Sequence, residues 1–258
     1  MKIIAALTFA LFISQPGLLL ADDGYQQSES DSRLSLGVAM VVMPEFEGSE
    51  KYQFAALPVI EYDQGLFFFS AINGAGLRIV DRPSFQMGPL VKYRYGRDQD
   101  DSDDLKGMGD VKGGAEAGLF ANWQIFDQLG LKTELMHGLG TAKGFTADLG
   151  LNYHTPLTEN LDLNLALEGR YADSDYNEEY FGVSERQSRK SGYKAYNPGG
   201  GIKHVATQAS LSYGLTESLK FGVFGEYKRL TGPAADSPLV KHGSADQFTG
   251  GLALTWNN

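Results

Sequence analysis

From Arg33 onward the chain is built of runs, many about ten residues long, in which apolar and polar side chains alternate. This period of two dictates extended strands. Leu34, Leu36, Val38, Met40 and Val42 share one face, while Arg33, Ser35, Gly37 and Ala39 lie on the other. Phe145, Ala147, Leu149, Leu151 and Tyr153 oppose Thr146, Asp148, Asn152 and His154. Leu161, Leu163, Leu165, Leu167 and Tyr171 oppose Asp162, Asn164, Glu168 and Arg170. Together with two shorter runs, Leu66 to Ala71 and Ala75 to Val80, the pattern predicts about twelve strands.

Alternation alone does not say which face meets water, because a soluble sandwich alternates too, with its apolar face inward. Three features select a membrane barrel. Many of the runs have the length a tilted strand needs to cross a bilayer, roughly 9–11 residues, against about 5–6 for an ordinary strand. Their apolar faces carry almost no charge and place Tyr or Trp at the ends, among them Tyr52, Tyr62, Tyr93, Tyr153, Tyr213 and Trp256, as aromatic girdles do. The connections alternate between tight (Asp63-Gln64, Phe126-Asp127, Thr216-Glu217) and long (97–112, 172–200, 228–244), with the 72–74 link as the exception. The expected fold is therefore all-β: a transmembrane antiparallel β-barrel with short periplasmic turns and longer extracellular loops. Pro58 and Pro89 fall inside runs, where a missing donor is tolerated mainly at bulges or poorly paired positions.

Composition narrows the function. The chain has no cysteine, which removes disulfides, thiolate metal sites and cysteine nucleophiles, and its net charge of −10 argues against a general nucleic-acid binder. Met1-Lys2, the apolar stretch Ile3 to Ile13 and the Pro16-Gly17 break read as an export signal over residues 1–21. Residues 22–32 read as a polar, flexible lead-in, and 33–258 as the barrel in the outer membrane. The face opposite the lipid places Lys92, Arg94, Glu116, Lys132, Glu134, Glu168 and Arg170 along a wet lumen.

No catalytic constellation emerges. The acidic stretch Asp98 to Asp104 lacks the Gly and Glu that a calcium loop needs at its sixth and twelfth positions, where Asp103 and Gly109 stand. His137, His154, His204 and His242 lack metal-ligand spacing, and Ser210 lies six residues from His204, roughly 20 Å along a strand. No cofactor is implied, and the reading is of a protein that is not an enzyme.

Several segments carry a family likeness. Pro44-Glu45-Phe46-Glu47-Gly48-Ser49, Gly107-Met108-Gly109-Asp110 and Tyr180-Phe181-Gly182-Val183 are three of them, in that order. The fourth and most specific is Arg229-Leu230-Thr231-Gly232-Pro233-Ala234-Ala235-Asp236-Ser237-Pro238-Leu239. These elements resemble motifs of the MipA/OmpV family of outer-membrane proteins, with Pro233 in place of the family's usual Asp. The resemblance covers essentially the whole chain after the export signal. It implies a Gram-negative outer-membrane barrel whose partners are membrane lipid and lipopolysaccharide. It also implies a scaffold joining a lytic murein transglycosylase to a murein synthase, with a narrow porin or adhesin as the alternative. A soluble periplasmic β-sandwich binding module is the third reading. Loop parity places Tyr180, Phe181, Gly182, Arg229, Asp236, Ser237 and Pro238 on the outward side, where such loops either fold into the lumen or pair locally.

Overall fold

The structure is a computed structural model and describes residues 32–258. The export signal, and the lead-in up to residue 31, lie outside the described residues. Thirteen strand segments follow in order: β1 (Arg33–Pro44), β2 (Tyr52–Gln64), β3 (Phe67–Ser70), β4 (Gly74–Leu77), β5 (Val80–Arg82), β6 (Phe85–Arg94) and β7 (Gly114–Phe126). The second half adds β8 (Leu129–Gly138), β9 (Phe145–Thr158), β10 (Leu161–Ala172), β11 (Gly201–Gly214), β12 (Leu219–Leu230) and β13 (Asp246–Asn257). Each pairs antiparallel with its sequence neighbour, apart from β4 and β5. β1 closes on β13, with Val38 opposite Leu254, and β4 closes on β6, with Ala75 opposite Val91. The sheet therefore has no end, and because β4 and β5 are two pieces of one interrupted stave, the closed antiparallel barrel has twelve.

The apolar stripes face outward. Leu149 is 56% exposed, Leu211 42% and Phe221 37%, whereas Glu168 and Lys132 are both 7% exposed. A molecule with its charges inside and its leucines outside is stable only where lipid takes the place of water. Among the described residues no helix is long and apolar enough to cross a membrane; the strands do it.

Both prolines sit where a ladder donor is dispensable. The Ala71 amide donates to the Ile60 carbonyl and the Glu45 amide to the Lys51 carbonyl. Backbone groups of even-numbered β2 residues thus point toward β3, and those of odd-numbered residues toward β1. The nitrogen of Pro58 points to the β3 side at a height that β3 does not reach. Pro89 lies opposite the break between β4 and β5, where the register steps by one residue between the Gly76–Leu90 and Val80–Met87 pairs. The β3–β4 link is tight: Gly74 adopts φ +89°, and a Cβ there would lie 2.2 Å from the Val91 carbonyl oxygen.

The barrel interior is two-sided. On the β1, β2, β12 and β13 wall, inward Ala39, Val41, Met43, Leu57, Val59, Phe224 and Ala253 form one buried apolar cluster, with Glu61, Glu226, Lys228 and Thr249 buried on the same strands. The seven residues expected along a wet lumen lie outside this cluster. β1 and β2 are apolar on both faces, so period two identifies their faces but not their polarity. Most of the buried charged residues collect on the other wall.

Candidate functional site

Strand alternation carries Lys92 and Arg94 of β6, Glu116 of β7, Lys132 and Glu134 of β8, Asp148 of β9 and Glu168 and Arg170 of β10 inward, on the charged wall. They are not a row of free charges. Lys92 and Lys132 converge on Glu134, the latter at 2.8 Å. The Arg94 guanidinium binds Glu116 and the Lys143 carbonyl, and lies 3.4 Å from Glu179. Arg170 pairs with Asp148 and lies 4.0 Å from Glu168, which in turn stands 3.3 Å from His204 Nε2. All seven residues expected along the lumen thus belong to ion pairs: Lys92–Glu134, Arg94–Glu116 and Arg170–Asp148 cross from strand to strand, whereas Lys132–Glu134 and Arg170–Glu168 lie within β8 and β10.

Above this wall the long loops close the outer mouth. The β10–β11 loop carries α1 (Ser174–Phe181) and α2 (Glu185–Ser191); the β12–β13 loop carries α3 (Gly232–Ala235) and α4 (Pro238–His242). Local sequence explains both longer helices. The Asp173 side chain accepts from the Tyr176 amide, and Ser184 and Gln187 form a reciprocal capping box. α1 delivers Tyr176 into the mouth. Its ring lies 4.5 Å from the Arg94 guanidinium carbon on β6, and its hydroxyl lies 3.3 Å from Lys203 Nζ on β11. One aromatic side chain thus meets cations on two well-separated staves.

Lys203 is the centre of the closure. It donates to both carboxylate oxygens of Glu47 in the β1–β2 loop, at 2.9 Å each, with both side chains almost wholly buried. It faces inward because a β-bulge interrupts the β10–β11 register, Arg170 pairing with His204 and Tyr171 with Ile202, so that Lys203 and His204 point the same way. Burial pushes the Glu47 carboxyl up, but the charges of Lys203, Lys228 and Arg170 outweigh it and hold the group below its ordinary value. Arg97, in the β6–β7 loop, donates to the Tyr180 carbonyl at 2.9 Å and lies over the Phe46 ring; burial pushes its guanidinium down to about 10. Ser237 donates to the Phe181 carbonyl, and Gln247 to the Ser49 carbonyl. Two apolar clusters, one around Tyr176, Tyr180 and Phe181 and one around Phe46, Leu105, Met108 and Leu239, seal the assembly.

The loop residues singled out from sequence therefore divide. Tyr180, Phe181, Gly182 and Ser237 lie inside the closure, and Pro238 starts α4. Arg229 and Asp236 stay outside it in separate exposed ion pairs, with Asp246 at 2.7 Å and Lys241 at 3.0 Å. The acidic stretch is used structurally: Asp98 and Ser102 cap two short turns, and Asp104 pairs with Lys51. Sequence reasoning missed Glu47, Arg97, Tyr176 and Lys203. The capping signals at Asp173 and Ser184 mark the helix that carries Tyr176, but nothing local marks the pairing of Glu47 with a lysine 156 positions away.

A family model described as MltA-interacting protein MipA matches residues 36–258, nearly the entire described chain. The chain belongs to the MipA family. Among curated relatives, the "Outer membrane protein Omp26La" of Vibrio anguillarum is 29% identical over 69% of this chain and 66% of its own length, just under two thirds. The "MltA-interacting protein" of Escherichia coli (strain K12) is 26% identical over 87% of this chain and 90% of its own. Of solved structures, the COG4313 outer membrane channel from Pseudomonas putida F1 superposes with a TM-score of 0.48 at 7% identity, over 92% of this chain and 100% of that one. The MipA-family chain is an outer-membrane protein, and its charge-inside, leucine-outside barrel is built to sit in lipid.

Proposed function

We propose that this MipA-family barrel is a non-enzymatic anchor of the outer membrane that binds a lytic murein transglycosylase from the periplasmic side. The observation that carries the reading is the closure of the mouth. Four loops and the charged wall interlock through buried ion pairs and hydrogen bonds, a construction suited to a fixed body and not to free diffusion. The name of the E. coli relative supports the class of partner. The periplasmic rim offers exposed Asp127, Glu159 and Glu217 at the tips of three turns, an acidic surface suited to a basic patch on the enzyme.

The test uses the detergent-solubilised, heat-modifiable barrel. Under this reading it retains a purified lytic transglycosylase of the MltA type, binding weakens when Asp127, Glu159 and Glu217 are replaced together by Lys, and planar bilayers show no discrete conductance. Conductance steps without enzyme binding overturn the anchor in favour of a narrow porin.

A further inference from the structure

Below the closed mouth, and outside the apolar cluster, the barrel interior holds a second polar constellation. Strand register brings Asn152 of β9, Ala166 of β10, Gln208 of β11, Glu226 of β12 and Thr249 of β13 into one lateral row, each opposite the next. Alternation turns all five inward, with the parity of the buried Glu168 and Lys228 in the row above. Cβ atoms of neighbours in such a row stand about 5 Å apart. Three successive members carry an oxygen that solvent cannot reach and that has no hydrogen-bond partner: Gln208 Oε1, Glu226 Oε1 and Thr249 Oγ1. Lys228 Nζ lies 3.3 Å from Glu226 Oε1 without hydrogen-bonding it. Glu226 and Thr249 are only 6% and 4% exposed. A buried polar atom without a partner is costly, so three side by side mark a position built around something that donates or carries positive charge.

Beside this row the wall is hollowed. Gly150, Ala166 and Ala206 have little or no side chain, and the space they leave is bounded by Asn152, Gln208, Glu226 and Glu168. The hollow has room for one water-sized occupant. Its polar lining is two carboxylates and two amides, a hard oxygen donor set. Charge then selects the occupant. In the buried network around it, Glu47, Asp148, Glu168 and Glu226 meet Lys203, Arg170 and Lys228, four carboxylates against three cations when His204 is counted as neutral. One negative charge is left over, which water does not balance. A divalent ion is the wrong match: Ca²⁺ takes about 6–8 oxygens and Mg²⁺ keeps several of its waters, for which a one-water hollow has no space. Among the described residues, no three His, Asp or Glu side chains are grouped as a metal site either.

We propose that this hollow binds one dehydrated monovalent cation of about the size of water, K⁺ being the ion that fits. Gln208 Oε1, Glu226 Oε1 and the Glu168 carboxylate coordinate it, so that the ion ties β10, β11 and β12 together inside the barrel. It enters from the periplasmic end, because the loops close the mouth above, whereas the His154 and Asp162 side chains toward the periplasmic turns are 25% and 17% exposed. This inference is independent of the anchoring function.

The test unfolds the purified barrel with urea in vesicles at constant ionic strength while choline, too bulky for the hollow, is replaced stepwise by K⁺. The site predicts that the folded-to-unfolded ratio rises about tenfold for each tenfold increase in K⁺ above its dissociation constant. The rise is lost in Gln208→Met and in Glu226→Gln and kept in Arg229→Met, whose side chain lies on the exterior. Equal stability in K⁺ and choline overturns the proposal, as does a rise that persists in both lumen variants. Crystals grown with Tl⁺, a surrogate for K⁺, are expected to show an anomalous peak between Gln208 and Glu226; density there without anomalous signal identifies water and overturns it too. Heat-modifiable mobility confirms folding of each variant, and if one lumen variant does not fold, the other decides.

Discussion

Replacing Lys203 by Met removes the cation that closes the mouth and leaves the Glu47 carboxylate buried beside His204. Removing one partner of a buried ion pair costs about 3–5 kcal/mol. Lys228 and Arg170 still act on Glu47, so the lower end of that range applies. About 3 kcal/mol is roughly a hundredfold in the equilibrium between docked and undocked loops. Backbone amide exchange reads it directly, at the Ser49 and Asn177 amides, which are hydrogen-bonded to Phe46 and Asp173 when the loops are docked. Protection there falls by about two powers of ten in Lys203→Met. It is unchanged in Arg229→Met, whose pair with Asp246 is exposed and contributes little. Glu47→Gln combined with Lys203→Met recovers part of the loss, because no charge is then left unpaired.

The pH dependence has a definite sign. In the parent, Glu47 has a lowered pKa when docked, so the undocked loop takes up the proton first. Docking stability is therefore full above the ordinary carboxylate range and is lost as pH falls through the lowered value. In Lys203→Met the main force holding the carboxyl down is gone, burial raises it, and the defect shrinks toward acid. Equal protection in Lys203→Met and Arg229→Met at neutral pH would refute the closure as described.

Two further substitutions test the orientation of the wall and the β2 edge above β3. Leu149→Arg puts a charge on an outward position of β9 and is expected to cost about 2–4 kcal/mol if that position lies near the bilayer midplane, read as a lowered urea midpoint in vesicles; an unchanged midpoint contradicts the outward assignment. Pro58→Ala changes stability by less than about 1 kcal/mol because the restored N–H points to the side that β3 does not reach, whereas Ala55→Pro, at a position that bonds to β1, strands a ladder carbonyl at about 1–3 kcal/mol. Equal effects of the two in the same unfolding assay would mean that the β2 edge is paired.

What the sequence discloses and what it withholds follow from the range of the interactions. Alternation is a property of neighbours two apart, so the outward leucines of β9 and β10 and the inward Arg94, Glu134 and Glu168 are legible from any ten-residue window. The same rule fails at Lys203. A single extra residue in β11 shifts parity, and a side chain that strict alternation with His204 would send outward becomes the centre of the closure. It fails differently in β1 and β2, where both faces are apolar and the pattern cannot tell a lipid-facing Met40 from an inward Met43.

The short β3–β4 hairpin and the apolar sector lie on one side of the barrel. A strand whose two faces are both apolar gains nothing from a wet lumen, and in a closed polar barrel its inner face would be exposed to water. Here the inner face of β2 is covered by Phe224, Met43 and Ile72 from within. The charged wall instead lies on β6 to β11, where Glu134 and Asp148 are nearly inaccessible.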